Sequence, residues 1–374
     1  MLACLLPGCE PDEPYPDEIP ASTQRTVLLY LGVDNNFRAE AAQKIETLTT
    51  NWNKNNDGNL LVYSDAGGNA ALIHIYHNPQ KGNVADTIAI YPDENSANPQ
   101  TLTRVLNDVK NYRPANSYGL VMLSHATGWL PAEMSKPTPA LHSIIWDTGT
   151  GEANNYMELS DFAEAIPYRL DFIIFDACFM GAVEVAYELK DKADYIVASS
   201  AEVVSPGFVY SSMMQHLFKP QADLVSVARE FYEYYDNQSG LYRSATVSVV
   251  KTAELEALAK AVSDAVETGH APSLQNLQCF GYGVQKIYFD LGDCIQKFAP
   301  EKYSEFQSAL AACVIYKACT GSYYSAGTGT MQVIRAFGGL SVYIPQEDYP
   351  EANKLYESLK WSKDVRRIPG GSGV

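Results

Sequence analysis

Two residues in this chain have the type and the placing for nucleophilic chemistry. Cys178 ends the stretch "DFIIFDAC" (171–178), and His125 ends "GLVMLSH" (119–125). Each follows an apolar run of the kind that makes a strand buried on both faces. Each is followed by a turn containing glycine, at Gly181 and Gly128. In an open α/β sheet, ligands bind in the crevice beyond the carboxyl ends of the strands. Two such ends side by side would set a thiol against an imidazole, a nucleophile with its proton acceptor. A nearby protonated histidine or a helix N-terminus lowers a thiol pKa from about 8.5, and a helix from about Gly181 is expected to add the second effect. Taken singly, a buried cysteine is a small hydrophobe and a histidine is structural more often than catalytic. Spacing alone leaves both readings open.

The elements that must position these two side chains follow from periodicity. Strands are expected at "TVLLYLGVD" (26–34), "NLLVYSDAGG" (59–68), "ALIHIYHN" (71–78), "SYGLVMLSH" (117–125), "SIIWD" (143–147), "LDFIIFDAC" (170–178) and "ADYIVASS" (193–200). Helices are expected over 38–53, from Asn98-Pro99 to Tyr112 with the proline in the first turn, over 161–166 capped by Ser160, and over 181–189. Alternation of this kind predicts an α/β fold, a mainly parallel sheet with helices on both faces. Further on, "ATVSVV" (245–250) and "AFGGLSVYIP" (336–345) read as strands and 252–268 as a helix. The segment 286–298 enters another helix, with Asp290 and Asp293 as capping residues. The expected organisation is a tether over 1–22, a catalytic core over 23–250, and a C-terminal α/β extension over 251–374 that packs on the core.

Composition excludes some functions. Among 374 residues the net charge is −17, which disfavours nucleic-acid binding because phosphate contacts need Lys/Arg clusters. It favours basic substrates weakly and at long range. The seven cysteines match no zinc-ligand spacing. His74 and His77 have no ligand partner at metal spacing, and Asp65-Ala66-Gly67-Gly68 lacks the lysine and helix of a phosphate loop. No metal and no cofactor is expected. Cys279, Cys294, Cys313 and Cys319 could form two disulfides in an oxidising compartment, a point the sequence leaves open. At the N-terminus, Leu6-Pro7-Gly8-Cys9 resembles a bacterial lipobox, and the acidic, proline-rich stretch after it resembles a tether. That reading makes Cys9 a lipidation site and places the protein in the cell envelope or outside the cell, anchored to a bacterial outer membrane. The plain alternative is a frayed terminus with an incidental cysteine.

Several motifs together resemble the clostripain family of cysteine endopeptidases, members of the caspase-like clan. They are "YLGVDNN" (30–36), "SANPQTL" (96–102), the histidine motif His125-Ala126-Thr127-Gly128-Trp129, and "DACFMGAVEVAYEL" (176–189). Downstream, "ADYIVASSAEVVSPGFVY" (193–210) and "GGLSVYIP" (338–345) fit the family as well. The likeness spans residues 25–346, and the 176–189 block is its most specific part.

The resemblance implies a caspase-like fold in which Cys178 attacks a peptide carbonyl and His125 serves as base and acid. The N–H groups of Cys178 and Ala126 would hold the oxyanion. Asp176 would select Arg or Lys at P1, the residue before the cut, through a charge-assisted contact. Glu202 is a second candidate acid for that pocket. Polypeptides with basic P1 residues would be the substrates. Ala126 stands where the family has glycine; if that position needs φ > 0, alanine there costs about 1 kcal/mol or more. Cleavage of the chain by itself at Lys136 is not expected, because Pro137 follows it. The rival reading is a surface lipoprotein of weak or no activity that keeps the fold as a binding module.

Overall fold

The structure is a computed structural model that describes residues 23–32, 37–92, 95–130, 145–146, 156–269, 273–281 and 286–369. In chain order it runs β1 (Thr23–Gly32), α1 (Arg38–Asn51), β2 (Gly58–Asp65), β3 (Ala70–Asn78), β4 (Gly82–Tyr91) and α2 (Pro99–Tyr112). Next come β5 (Ala115–Leu123), the short β6 (Ile145–Trp146) and β7 (Tyr156–Met157), α3 (Leu159–Ala165), β8 (Leu170–Asp176), α4 (Val183–Glu188) and β9 (Ala193–Ala198). Helices α5 (Tyr210–Leu217) and α6 (Leu224–Asp236) precede β10 (Thr246–Lys251) and α7 (Leu255–Thr268). The last part holds β11 (Cys279–Phe280), β12 (Tyr288–Asp290), α8 (Leu291–Phe298), α9 (Tyr303–Cys313) and β13 (Val314–Cys319). It closes with β14 (Ser322–Ser325), β15 (Thr330–Val333), β16 (Ser341–Val342), α10 (Pro350–Tyr356) and α11 (Lys360–Asp364).

One nine-stranded sheet, in the order β13-β10-β9-β8-β5-β1-β2-β3-β4, organises the molecule. Its five inner strands, β9 to β2, run parallel, and two antiparallel strands flank them on each side. Strand alternation divides the core into two layers. On β1, Val27, Leu29 and Leu31 face α1, α5 and α6, whereas Leu28 and Tyr30 join the layer built with α2, α3, α4 and the C-terminal helices. On β8, Phe172 and Ile174 belong to the first layer and Ile173 and Phe175 to the second. The same period turns Asp176 toward α1 and α5.

The structure departs from the sequence expectations in places with identifiable causes. Strand β4 was not expected; much of its surface is exposed, so it carries no apolar run to betray it. Ser160 lies inside the first turn of α3 rather than capping it, since the helix already starts at Leu159. Helix α4 starts at Val183 rather than Gly181, because the Gly181 backbone is used elsewhere. Its N–H donates to the Ser199 carbonyl at 2.7 Å, and its own carbonyl accepts from Ser341 N–H at 2.9 Å. The capping expected of Asp290 is present, its carboxylate accepting Asp293 N–H at 2.8 Å. Cys279, Cys294, Cys313 and Cys319 are all free thiols. Strand β13 pairs with β10, so the chain beyond residue 251 supplies an edge of the main sheet. Cys9, the tether and Lys136 lie outside the described residues.

The C-terminal part also braces the helix that follows the thiol. Glu184 on α4 is fully buried and accepts Tyr343 N–H at 2.7 Å, while its Oε2 has no hydrogen bond among the described residues. Burial pushes its carboxyl up to about 7 from an ordinary value near 4.5. The unfolded chain therefore loses this proton at lower pH than the fold does. Between those values the folded state binds more protons, so stability is complete below about pH 4.5 and declines as pH rises through 7. Glu184→Gln is expected to flatten that decline: urea midpoints taken at pH 4.5 and pH 8 should differ less than in the parent chain. Equal differences in both chains would show that Glu184 is not the group responsible.

Candidate active site

The register of two parallel strands carries the site. Leu123 on β5 pairs with Asp176 on β8, and His125 and Cys178 each follow their partner by two residues. The imidazole and the thiol therefore leave the sheet at the same level and line one cleft. That cleft, of about 30 Å³, is also bordered by Phe37, Glu40, Asp176 and the segment Val203–Gly207. The His125 ring stacks on Phe37, with centres 4.2 Å apart and planes 24° from parallel.

Tight turns hold both loops. Phe179 has φ 60°, the only described non-glycine residue in the left-handed region, a conformation that costs a side-chain-bearing residue about 1–2 kcal/mol. It is retained by packing and bonding: its buried ring stacks on Tyr288 with centres 5.2 Å apart, and its N–H donates to the Ala201 carbonyl at 3.1 Å. Gly128, in the histidine loop, has φ 69° and packs directly against the Phe179 carbonyl oxygen. Tyr288 OH donates to the Thr127 carbonyl, tying the same two loops together. Ala126 is buried and lies outside the left-handed region, so alanine in place of glycine brings no strain from positive φ.

The electrostatics of the thiol differ from the expectation. Cys178 is half-buried; Val203 N–H donates to its Sγ at 3.3 Å and the Val203 carbonyl lies 3.9 Å from it. Burial pushes the thiol up to about 12, the Glu202 carboxylate and then Asp176 adding to it against the Val203 N–H. A helix N-terminus was expected to pull it down, but α4 begins only at Val183 and cannot offset two carboxylates and an apolar wall. A pKa raised in this way favours the neutral thiol at Cys178.

Asp176 is buried at the floor of the cleft, where Tyr210 OH donates to its Oδ2 at 2.8 Å and Lys44 Nζ stands 3.5 Å away. Gly207 closes over it with φ 80°; a Cβ there would fall 2.2 Å from Asp176 Oδ1. Glu202 is placed differently from Asp176. Its buried carboxylate accepts Ala326 N–H at 3.0 and 3.1 Å, burial pushes it up to about 7, and it is not among the residues bordering the cleft. The structure thus brings Cys178, His125 and Asp176 together with Ala126 close behind, and turns Glu202 toward the β14–β15 hairpin.

Sequence reading missed Glu40, Lys44, Tyr210 and Val203 as contributors. Glu40 and Val203 border the cleft, and Lys44 and Tyr210 contact Asp176 from behind it, each from a segment separated in sequence from Cys178 and His125. Among the described residues, no three His, Cys, Asp or Glu side chains gather to hold a metal, and no helix is long and apolar enough to cross a membrane.

Comparison with known proteins agrees with the fold. A model of the clostripain family matches residues 29–366. The curated clostripain of Hathewaya histolytica is 28% identical over 226 residues, a stretch covering 51% of this chain and 42% of that protein. The match therefore spans well under half the length of that relative. Among solved structures, the fold is similar to a C11 protease of Parabacteroides distasonis described as an inactive zymogen. The TM-score is 0.81 at 33% identity, covering 94% of this chain and all of the other. It is equally similar to a secreted C11 cysteine protease from Bacteroides thetaiotaomicron bound to an irreversible peptide inhibitor. There the TM-score is 0.81 at 30% identity, covering 91% of this chain and 98% of the other.

Proposed function

Because this chain belongs to the clostripain family, we propose that it is a cysteine endopeptidase cutting peptide bonds after arginine or lysine. One observation carries the reading: the β5–β8 register that brings His125 and Cys178 out side by side into a shared cleft. Substrate binding would replace the thiol's contacts with Val203. Cys178 Sγ then bonds to the scissile carbonyl carbon as its proton passes to His125, and the carbonyl electron pair moves onto oxygen. The N–H groups of Cys178 and Ala126 receive that oxyanion. Collapse breaks the C–N bond, the leaving amine takes the proton from His125, and a thioester remains on Cys178. Water, deprotonated by His125, hydrolyses the thioester and restores the thiol. With burial raising the thiol's pKa, its proton would pass to His125 within the catalytic step.

Basic selectivity is supported by Asp176 beneath the thiol and by Glu40 at the rim. The peptide-bound state of the Bacteroides thetaiotaomicron protease supports polypeptides as substrates. Export and a lipid on Cys9 belong to the same proposal, and the likeness to a secreted protease supports export.

The test is covalent labelling with an arginyl acyloxymethyl ketone. One inhibitor mass should add to the folded chain and map to Cys178, and Asp176→Ala should lose labelling by basic reagents more than by neutral ones. The rival reading, a binding module, is favoured by the burial that keeps the thiol protonated. Folded protein left unlabelled by ketones of every P1 type would support it against the protease.

A further inference from the structure

A cation already stands beside Asp176, the carboxylate that borders the cleft. Lys44 Nζ lies 3.5 Å from Asp176 Oδ2, donates to the Pro206 carbonyl at 2.6 Å, and sits 4.2 Å from the centre of the Tyr210 ring. Lys44 and Asp176 side chains are 7% and 2% exposed, so the pair is almost sealed from water. A substrate guanidinium reaching Asp176 would share one carboxylate with this ammonium, and like charges at low dielectric repel strongly. Lys44 cannot readily withdraw, because it stands in the middle of α1 and is held by a carboxylate, a carbonyl and an aromatic face.

Glu40 offers a second carboxylate. It lies one helical turn before Lys44 on α1, on the same face at the i, i+4 spacing. It is half-buried, accepts from Ser205 Oγ at 2.9 Å, and borders the catalytic cleft. It also borders the adjoining cavity of about 220 Å³ that Lys44 and Tyr210 line. A cation in the cleft therefore has a second carboxylate on its border.

We propose that Lys44 is a specificity-determining residue, an internal counter-cation of Asp176 that shifts recognition of a basic P1 side chain onto Glu40. The inference rests on the protease reading of this cleft and deepens it. The lysine weakens charge selection at P1 without abolishing it, since the three groups together still carry a net negative charge.

The experiment compares kcat/KM for peptide pairs that differ only in arginine or norleucine at P1. Lys44→Met and Lys44→Gln are expected to raise the arginine-to-norleucine ratio by about 10- to 100-fold, the worth of a hydrogen bond between charged groups. Lys44→Arg, which keeps the charge, should stay within a few-fold of the parent. Glu40→Gln should lower the ratio about tenfold. An unchanged ratio in the neutral Lys44 variants, or Lys44→Arg moving with them, overturns the role of Lys44. An unchanged ratio in Glu40→Gln overturns that of Glu40, which is only half-buried and so stays testable even where the Lys44 variants do not fold. If no chain cuts any peptide, the protease reading has failed separately. Calorimetric titration of benzamidine, a P1-like cation, into folded Cys178→Ala chains then decides. Binding tightened by added Lys44→Met upholds the inference; equal binding, or none in either chain, overturns it.

Discussion

Cys178→Ala is expected to lower kcat/KM for an arginyl peptide by at least about 10⁴-fold while leaving the protein folded, because no other group can form the thioester. Among the described residues, the thiol's hydrogen bonds are with the Val203 backbone. Loss of the two should cost no more than about 2 kcal/mol, at the usual worth of about 1 kcal/mol for each hydrogen bond. A thermal melt within a few degrees of the parent would show that the lost activity is chemical. His125→Ala should fall by a comparable factor, and the double variant hardly further, since a nucleophile without its proton acceptor and an acceptor without its nucleophile fail at the same step. Residual turnover in Cys178→Ala, measured with a fluorogenic peptide, would remove Cys178 from the mechanism.

The second large effect is expected at a residue with no chemistry of its own. Gly128→Ala should cut kcat by about 100-fold or more, the scale of loss that follows a displacement of about 1 Å at a reacting pair. Gly128 has φ 69°, and a Cβ there would stand 2.8 Å from both the Phe179 carbonyl oxygen and Tyr288 OH. The carbonyl belongs to the turn that carries Cys178, so the methyl group would force the histidine and cysteine loops apart. Left-handed strain adds about 1–2 kcal/mol, and urea unfolding should show destabilisation of at least that size. Gly329 is the control: its φ is 67°, yet no atom lies within 4 Å of a Cβ placed there. Gly329→Ala should suffer the conformational penalty with kcat retained. Should Gly128→Ala keep kcat within threefold of the parent, the two loops are not mutually positioned in the way the packing implies.

The parallel inner sheet and the placing of Cys178 and His125 were legible in the residues because their signals are local. A strand buried on both faces must be a continuous apolar run, and "FIIF" and "LVML" are such runs whatever surrounds them. The turn glycines were equally legible, since the chain must reverse directly after each run. Less was legible at the edges. Strand β4, half exposed, and helices α5 and α6 were not expected. Their existence depends on a neighbouring surface, supplied for α5 and α6 by the face of the sheet that also packs α1.

By itself, then, the order of residues determined that a thiol and an imidazole each follow an apolar strand, because hydrophobic runs and turns act within a few residues of where they are written; that the two strands are neighbours was decided by the sheet. Their level with one another was decided by the β5–β8 pairing, in which Leu123 meets Asp176. The thiol's upward shift was decided by burial and then by Glu202, which no spacing reveals. The partner of Asp176 was decided in the same way: Lys44 stands 132 residues away along the chain and 3.5 Å away in space. Charge acts through space at low dielectric, so the character of a buried pocket belongs to whatever the fold brings beside it.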